Sequence, residues 1–194
     1  MSEYLNLKKI AHLTIILLII TLLLSLSIYL TKYVANDLAA QLFVQDFGYI
    51  GVLLISFIAG LNLFIPVPAA TFIPIFTAGG ISLLTAIPLL VIGTMTANLL
   101  SYVVGRLGNQ FTRLHYPRIQ QKIFRLYFER RELLPYLVFC FAAFIPVPDE
   151  VYLIPLGIIG VKLREFIVPL FLGTVFFQTM TALGFQNIFQ IILN

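Results

Sequence analysis

Apolar residues run along this chain in long stretches that polar residues and prolines interrupt. The first stretch, residues 10–34, follows a pair of lysines and is long enough to cross a membrane as a helix. Residues 84–104 and 166–185 form two further stretches of spanning length. Shorter apolar segments lie between them, at residues 48–63, 69–78, 133–144 and 151–159. The pattern predicts spanning helices combined with shorter helices that do not cross.

A pentapeptide, Phe-Ile-Pro-Val-Pro, occurs at residues 64–68 and again 80 residues later, at 144–148. At that offset, 11 of the 31 pairs that start from Phe64 and end at Thr94 are identical. Chance in so biased a composition gives about three. The chain is therefore predicted to be internally duplicated.

Each pentapeptide predicts a broken helix, at Pro66 and Pro68 in the first copy and at Pro146 and Pro148 in the second. Proline lacks an N–H group, and its ring clashes with the carbonyl four residues before it. Unpaired backbone at membrane depth is tolerated only inside protein or beside a wet cavity. Paired interruptions of this kind are typical of a transport site between two repeats. With its flanking segments, each break predicts a re-entrant hairpin.

Composition favours the same class, because the chain is 60% hydrophobic and 10% charged with a mean hydropathy of +1.02. We predict an all-α integral membrane protein, an inverted repeat with two opposed re-entrant helical hairpins plus spanning helices. A membrane anchor helix and a short amphipathic link are expected at 1–46, the main domain at 47–185 and a short tail at 186–194. Within the domain we expect repeat 1 at about 48–106, a basic amphipathic connection at 107–131 and repeat 2 at about 132–185.

Basic residues crowd the 107–131 connection, and Arg106 precedes it as the expected end of a span. If the N-terminal lysines are cytoplasmic, this connection, Lys162 and Arg164 all fall on the same side, as the positive-inside rule requires. The hairpins then enter from opposite sides. We predict a multi-pass plasma-membrane protein whose connection lies on the cytoplasmic surface and contacts anionic lipids. Lipids are thus the expected partners, nucleic acid is not, and a monomer and a homodimer both stay open.

Asp149 and Glu150 are adjacent acids between two apolar segments. A charged carboxylate in hydrocarbon is costly, so these acids either face water in a cavity or stay protonated, as on a substrate or proton pathway. The alternative is that they cap the helix that starts near residue 151. Asn98 and Gln178 are equivalent in the two repeats, and such amides either line a pathway or join neighbouring helices.

Tyr102 and Arg106 lie one helical turn apart and could meet a lipid phosphate at the interface, or simply anchor the helix there. Cys140 is a lone cysteine, and neither His12 nor His115 has a second ligand nearby, so no metal site is expected. The sequence also has no nucleotide-binding loop or catalytic triad, and it predicts no cofactor and no enzymatic activity.

The order of motifs resembles the DedA family, also called the VTT or SNARE-associated Golgi protein family. A Pro-x-Pro hairpin precedes a span that ends in Ser-Tyr-Val-Val-Gly-Arg at residues 101–106, and a basic helix and a second Phe-x-Pro hairpin follow. The resemblance covers residues 47–184, and it implies two facing re-entrant hairpins. It also implies movement of lipids across bilayers by a scramblase or flippase, coupled to protons in some bacterial members.

The chain departs from the common pattern of this family. Ala69 and Ala70 stand where an acid usually follows the first Pro-x-Pro, and Ala143 and Asp149 stand where arginines flank the second hairpin's motif. This resembles a divergent, archaeal-type branch. Three readings follow: movement of lipid or a lipid-linked phosphate between leaflets, proton- or sodium-coupled export of small cations, and a membrane scaffold that transports nothing.

Overall fold

The computed structural model describes residues 2–61, 68–115, 131–145 and 148–193, with the backbone alone at 2–13, 15–17, 19–20, 110–115 and 192–193. Throughout these residues the secondary structure is helical, without a strand, as predicted. They form seven α-helices: α1 (Ser2–Asn36), α2 (Leu38–Gly60), α3 (Ile73–Ala78), α4 (Leu83–His115), α5 (Leu134–Phe144), α6 (Glu150–Ile158) and α7 (Ile167–Leu193). Short 3₁₀ helices occupy Ala69–Phe72, Arg131–Leu133 and Leu163–Glu165.

Three helices are long and apolar enough to cross a membrane, at Leu38–Gly60, Leu83–Asn109 and Ile167–Ile191. Many of their large apolar side chains are exposed on the surface of the bundle, which suits lipid rather than water. The protein is therefore an all-helical membrane protein, as its composition predicted.

The expected link before the first Pro-x-Pro segment is helical in this structure, apart from one residue. Only Asp37 separates α1 from α2, and its side chain caps α2 by accepting a 2.8 Å hydrogen bond from the backbone N–H of Ala40. Asp46 does not interrupt the helix, because its side chain is exposed on the helix surface. The segment before the first Pro-x-Pro therefore belongs to a helix of spanning length.

Two other helices continue past their predicted ends. α4 passes Arg106 and runs to His115, because the Arg106 side chain is exposed and its charge does not break the helix. The expected tail after residue 185 is helical as far as Leu193 and belongs to α7. Of the predicted basic connection, residues 116–130 lie outside the described residues, and so does the expected surface helix.

The two short helices that follow the Pro-x-Pro motifs, α3 and α6, end in the same local structure. Gly80 and Gly160 are equivalent at the 80-residue offset, and both have positive φ angles, +93° and +77°. Such angles strain residues with a side chain, which explains glycine at both positions. In both turns the residue after glycine donates a backbone hydrogen bond back to the preceding helix, from Ile81 to Phe76 (3.0 Å) and from Val161 to Leu156 (3.1 Å).

The long helices of the two repeats also bury equivalent positions. Leu90 of α4 and Leu170 of α7 are each almost completely buried, and so are Thr94 and Thr174 one turn later. α2 packs on α4 in the first repeat, and α5 packs on α7 in the second. The sequence duplication therefore corresponds to a duplication of packing.

α4 and α7 run in opposite directions between the two turns. α4 starts beside the first turn, and its Tyr102 hydroxyl bonds the carbonyl of Val161 in the second. α7 starts just after the second turn, and its Gln186 accepts a 2.9 Å hydrogen bond from Thr77 beside the first. Tyr102 lies 19 residues after Leu83, or about 29 Å along a helix, which is close to the thickness of a bilayer's hydrocarbon core.

α1 packs against α3 and the 3₁₀ helix that precedes it. Ser27 is completely buried and donates a 2.8 Å hydrogen bond to the backbone carbonyl of Thr71 in the 3₁₀ helix. A carbonyl in this irregular segment therefore has a partner from α1, as buried backbone requires.

Candidate functional site

The candidate site lies where the second hairpin resumes its helix after the Pro-x-Pro. Asp149 precedes α6 in a helical backbone conformation, and in this structure its side chain makes no capping hydrogen bond to α6. Its carboxylate instead accepts a 2.8 Å hydrogen bond from Nδ2 of Asn98 and a 2.7 Å hydrogen bond from the hydroxyl of Tyr152. Asp149 therefore connects the broken hairpin to α4.

Glu150 is the first residue of α6 and is only 5% exposed. A negative charge is favoured in the first turn of a helix, so the helix dipole offsets part of the cost of burying this acid. The two acids thus differ in surroundings. Asp149 contacts α4 through its side chain, whereas Glu150 is buried at the start of α6.

Tyr152 is a site residue that sequence reasoning missed. It lies three residues after Asp149, and this spacing puts the two side chains on neighbouring positions of one helical face. Comparison of the two repeats could have identified it. The equivalent residue in the first repeat is Phe72, so the hydroxyl is present only in the repeat that also has the acids. The first Pro-x-Pro segment also has Ala69 and Ala70 in place of the acids, so it has neither the acids nor the tyrosine.

Asn98 and Gln178 are buried, at 1% and 3% exposure, and each joins two helices. Asn98 bonds Asp149, as described, whereas Gln178 of α7 donates a 2.8 Å hydrogen bond to the hydroxyl of Thr94 on α4. Thr94 lies one turn before Asn98 on the same helix face. The structure thus brings Asn98 to the acids and Gln178 to a site one turn away.

The remaining amide oxygens are unusual. Oδ1 of Asn98 and Oε1 of Gln178 are both buried, and neither has a hydrogen-bond partner within the described part of the chain. Because the amide nitrogens already donate to Asp149 and Thr94, these oxygens are acceptors. Buried polar atoms without partners are few in folded proteins, and they often mark functional sites.

Tyr102 and Arg106, the predicted interface pair, have different surroundings. The Tyr102 ring is buried and packs edge-on against Phe166, with 5.4 Å between ring centroids. Its hydroxyl donates to the Val161 carbonyl at 2.6 Å and accepts from Nη1 of Arg106 at 2.8 Å. Tyr102 therefore ties α4 to the second turn, while the Arg106 side chain is exposed.

A family model of the VTT domain matches residues 67–186, more than half of the chain. The protein belongs to the VTT domain family. The predicted resemblance to DedA proteins is confirmed, and the match includes every candidate site residue except Pro66. No curated protein matches the chain. No solved structure matches it.

α4 and α6 of this VTT domain cross at two glycines. A Cβ atom on Gly105 would meet the backbone carbonyl of Ile154, and one on Gly157 would meet the backbone of Tyr102 and Arg106. Only glycine allows backbones to approach so closely, as at many helix crossings in membranes. This contact holds α6, and with it the acids at its start, against α4.

The VTT domain has helix ends on both sides of the second proline motif. α5 ends at Phe144 and α6 starts at Glu150, and the carbonyl of Pro148 accepts a 3.0 Å hydrogen bond from the N–H of Val151. In the first hairpin the carbonyl of Pro68 bonds the N–H of Thr71 at the same distance. Pro66 and Pro146 lie outside the described residues.

Proposed function

We propose that this VTT-domain protein moves a lipid, or a lipid-linked phosphate, between the two leaflets through a polar cleft between re-entrant hairpins. The observation that carries the proposal is the cluster of Asp149, Asn98 and Tyr152 at the break of the second hairpin. Ionisable groups inside membrane segments are costly and typically belong to a substrate or ion pathway. Members of this family are generally thought to be transporters or flippases.

The proposed architecture is an inverted repeat, in which the hairpins enter the membrane from opposite sides. Its support is the opposite direction of α4 and α7 and the position of the two glycine turns, one at the start of α4 and the other beside Tyr102 of the same helix. Equivalent Pro-x-Pro breaks would then face each other from the two sides, and the cleft would lie between them.

The basic end of the bundle is proposed to be cytoplasmic, in the plasma membrane. Four exposed basic side chains lie close to the second turn or at the starts of α5 and α7, and these are Arg106, Arg131, Lys162 and Arg164. Arg131 and Glu165 also form an ion pair of 3.2 Å that joins the starts of these two helices. This asymmetry follows the positive-inside rule.

Coupled export of small cations is the second candidate, with protons or sodium as the coupling ion. The observation that favours it is the pair of adjacent acids, one bonded by a tyrosine hydroxyl and the other buried at a helix start. Such a pair could take up and release a proton or a cation during a transport cycle. The scaffold reading depends on the basic connection, which lies largely outside the described residues.

Flux through purified protein in proteoliposomes separates these functions. The proposed lipid function predicts that a labelled lipid crosses the bilayer without any ion gradient. The cation exporter predicts ion movement that depends on an imposed proton or sodium gradient, with no lipid movement. Protein-dependent movement of neither lipid nor ion would contradict both proposals and leave the scaffold.

A further inference from the structure

The charged residues in the membrane-embedded segments around the candidate site are all acidic. The chain has no lysine or arginine in residues 33–105, 133–161 or 166–194, which include α2, α5, α6, α7 and most of α4. Asp149 and Glu150 are the acids within the second hairpin. A group that crosses the bilayer beside these segments therefore meets acidic side chains from them and no basic one.

The hydrogen-bonding capacity of the site is also one-sided. The hydroxyl of Tyr152 and Nδ2 of Asn98 already donate to Asp149, while a carboxylate has about four acceptor positions. Oδ1 of Asn98 is a buried acceptor that no donor reaches in the described residues, and Oε1 of Gln178 is another. Each amide nitrogen keeps a second N–H, but most of the spare hydrogen-bonding positions are acceptors, so the site favours a ligand that supplies donors.

We propose that the group recognised at Asp149, Asn98 and Tyr152 is a primary ammonium rather than a phosphate. This inference rests on the proposed lipid function and narrows its substrate to lipids with an amine headgroup. An ammonium has three N–H donors and a positive charge, so it satisfies spare acceptors and compensates a buried carboxylate. A phosphate brings only acceptors and negative charge, and the segments that supply the site residues contain no lysine or arginine to pair with it.

The first hairpin explains why one site is expected rather than two. The residues equivalent to the acids and Tyr152 are Ala69, Ala70 and Phe72, which offer no side-chain acceptor. The ammonium should therefore bind at one position along the path, beside α4 and the start of α6.

Headgroup preference in proteoliposomes tests the proposal directly. Three lipids carry the same fluorescent acyl chain and differ only in headgroup: ethanolamine, choline or glycerol. The ethanolamine lipid should cross about tenfold faster than the glycerol lipid. A tenfold difference in rate corresponds to about the free energy that one charge-assisted hydrogen bond contributes. The choline lipid has the same charges as the ethanolamine lipid but no N–H donors, so its rate should fall between the other two.

Variants assign this preference to the acids. Asp149→Asn/Glu150→Gln should lose the preference for ethanolamine, whereas the matched control Asp46→Asn/Glu132→Gln, with two exposed acids, should keep it. The comparison of headgroups uses the unaltered protein. It therefore tests the proposal even if the double variant fails to fold. Equal rates for the ethanolamine and glycerol lipids would overturn the inference and leave the proposed lipid function intact.

A soluble amine distinguishes the two sources of an ammonium group. The same vesicles are loaded with radiolabelled ethanolamine, and its protein-dependent efflux is measured. Efflux of ethanolamine without movement of any lipid would overturn the amine-lipid proposal and the lipid function together, and would assign the site to soluble amines. Movement of neither lipid nor amine would overturn both as well.

Discussion

The hydroxyl of Tyr102 donates a 2.6 Å hydrogen bond to the carbonyl oxygen of Val161, and so fixes the turn of the second hairpin to α4. The equivalent residue on α7 is Ala182, which is completely buried and has no hydroxyl. The first turn is joined to α7 by a different contact, between Thr77 and Gln186. The two halves thus use different polar contacts to hold their turns.

Tyr102→Phe should lower the stability of the protein. The replacement removes the hydroxyl and leaves the Val161 carbonyl without this donor, a loss of about 1–3 kcal/mol for a buried group. Thermal or denaturant unfolding in detergent micelles measures it. Tyr136→Phe is the matched control, because Tyr136 is 71% exposed on α5 and its replacement should change little. Equal stability of both variants would contradict the assigned role of Tyr102.

Gly105→Ala and Gly157→Ala should each push α4 and α6 apart. The added Cβ meets backbone atoms that have no freedom to rotate away, so we expect a loss of about 1–3 kcal/mol, together with lower transport. Gly184→Ala on α7 is the control, since its Cβ would meet nothing within 4 Å, and alanine should stabilise that helix by up to about 1 kcal/mol. Similar behaviour of all three variants in unfolding and flux would argue against the close crossing.

The proposed topology puts the two hairpin turns on opposite sides of the membrane. On a Cys140→Ala background, Lys162→Cys should react with an impermeant thiol reagent only from the cytoplasmic side, and Ser82→Cys only from outside. Both positions are exposed, one beside each turn. A cysteine at position 115 should react from the cytoplasmic side, as the cysteine in Lys162→Cys does. Labelling of positions 82 and 162 from the same side would disprove the inverted arrangement.

The prolines should matter equally in the two repeats. Replacement of both prolines of one motif by alanine restores two backbone donors and removes the clashes of the rings. Each proline costs about 3 kcal/mol relative to alanine in a helix interior. A continuous helix becomes favourable and should close the cleft, so flux should fall similarly for Pro66/Pro68 and for Pro146/Pro148. Loss of flux in one pair, with normal flux in the other, would contradict a path that both hairpins share.

Local features of this fold were predictable from the sequence, and distant contacts were not. The paired prolines predicted the helix breaks, because backbone sterics act within a few residues. The start of α2 and the end of α4 were missed, since Asp46 and Arg106 remain exposed on helix surfaces and their charges carry no penalty that would end a helix.

The candidate site was predicted in part. Asp149, Glu150 and Asn98 were identified as polar residues in apolar segments, which is a composition signal. The bond between Asn98 and Asp149 joins residues 51 apart, and it depends on the crossing of α4 and α6, which sequence periodicity does not give. Tyr152 and Thr94 were missed for the same reason, as both gain their roles from partners that packing supplies.

Lipid flux in the Asp149→Asn/Glu150→Gln variant tests the central claim most directly. Asparagine is about as good as aspartate at a helix start, so the variant should fold and insert while it loses both charges. We predict that its flux falls about tenfold or more, with Asp46→Asn/Glu132→Gln at the unaltered rate. Full flux in the Asp149→Asn/Glu150→Gln protein, with the same pH dependence as the unaltered chain, would contradict the account and leave the acids a structural role at the start of α6.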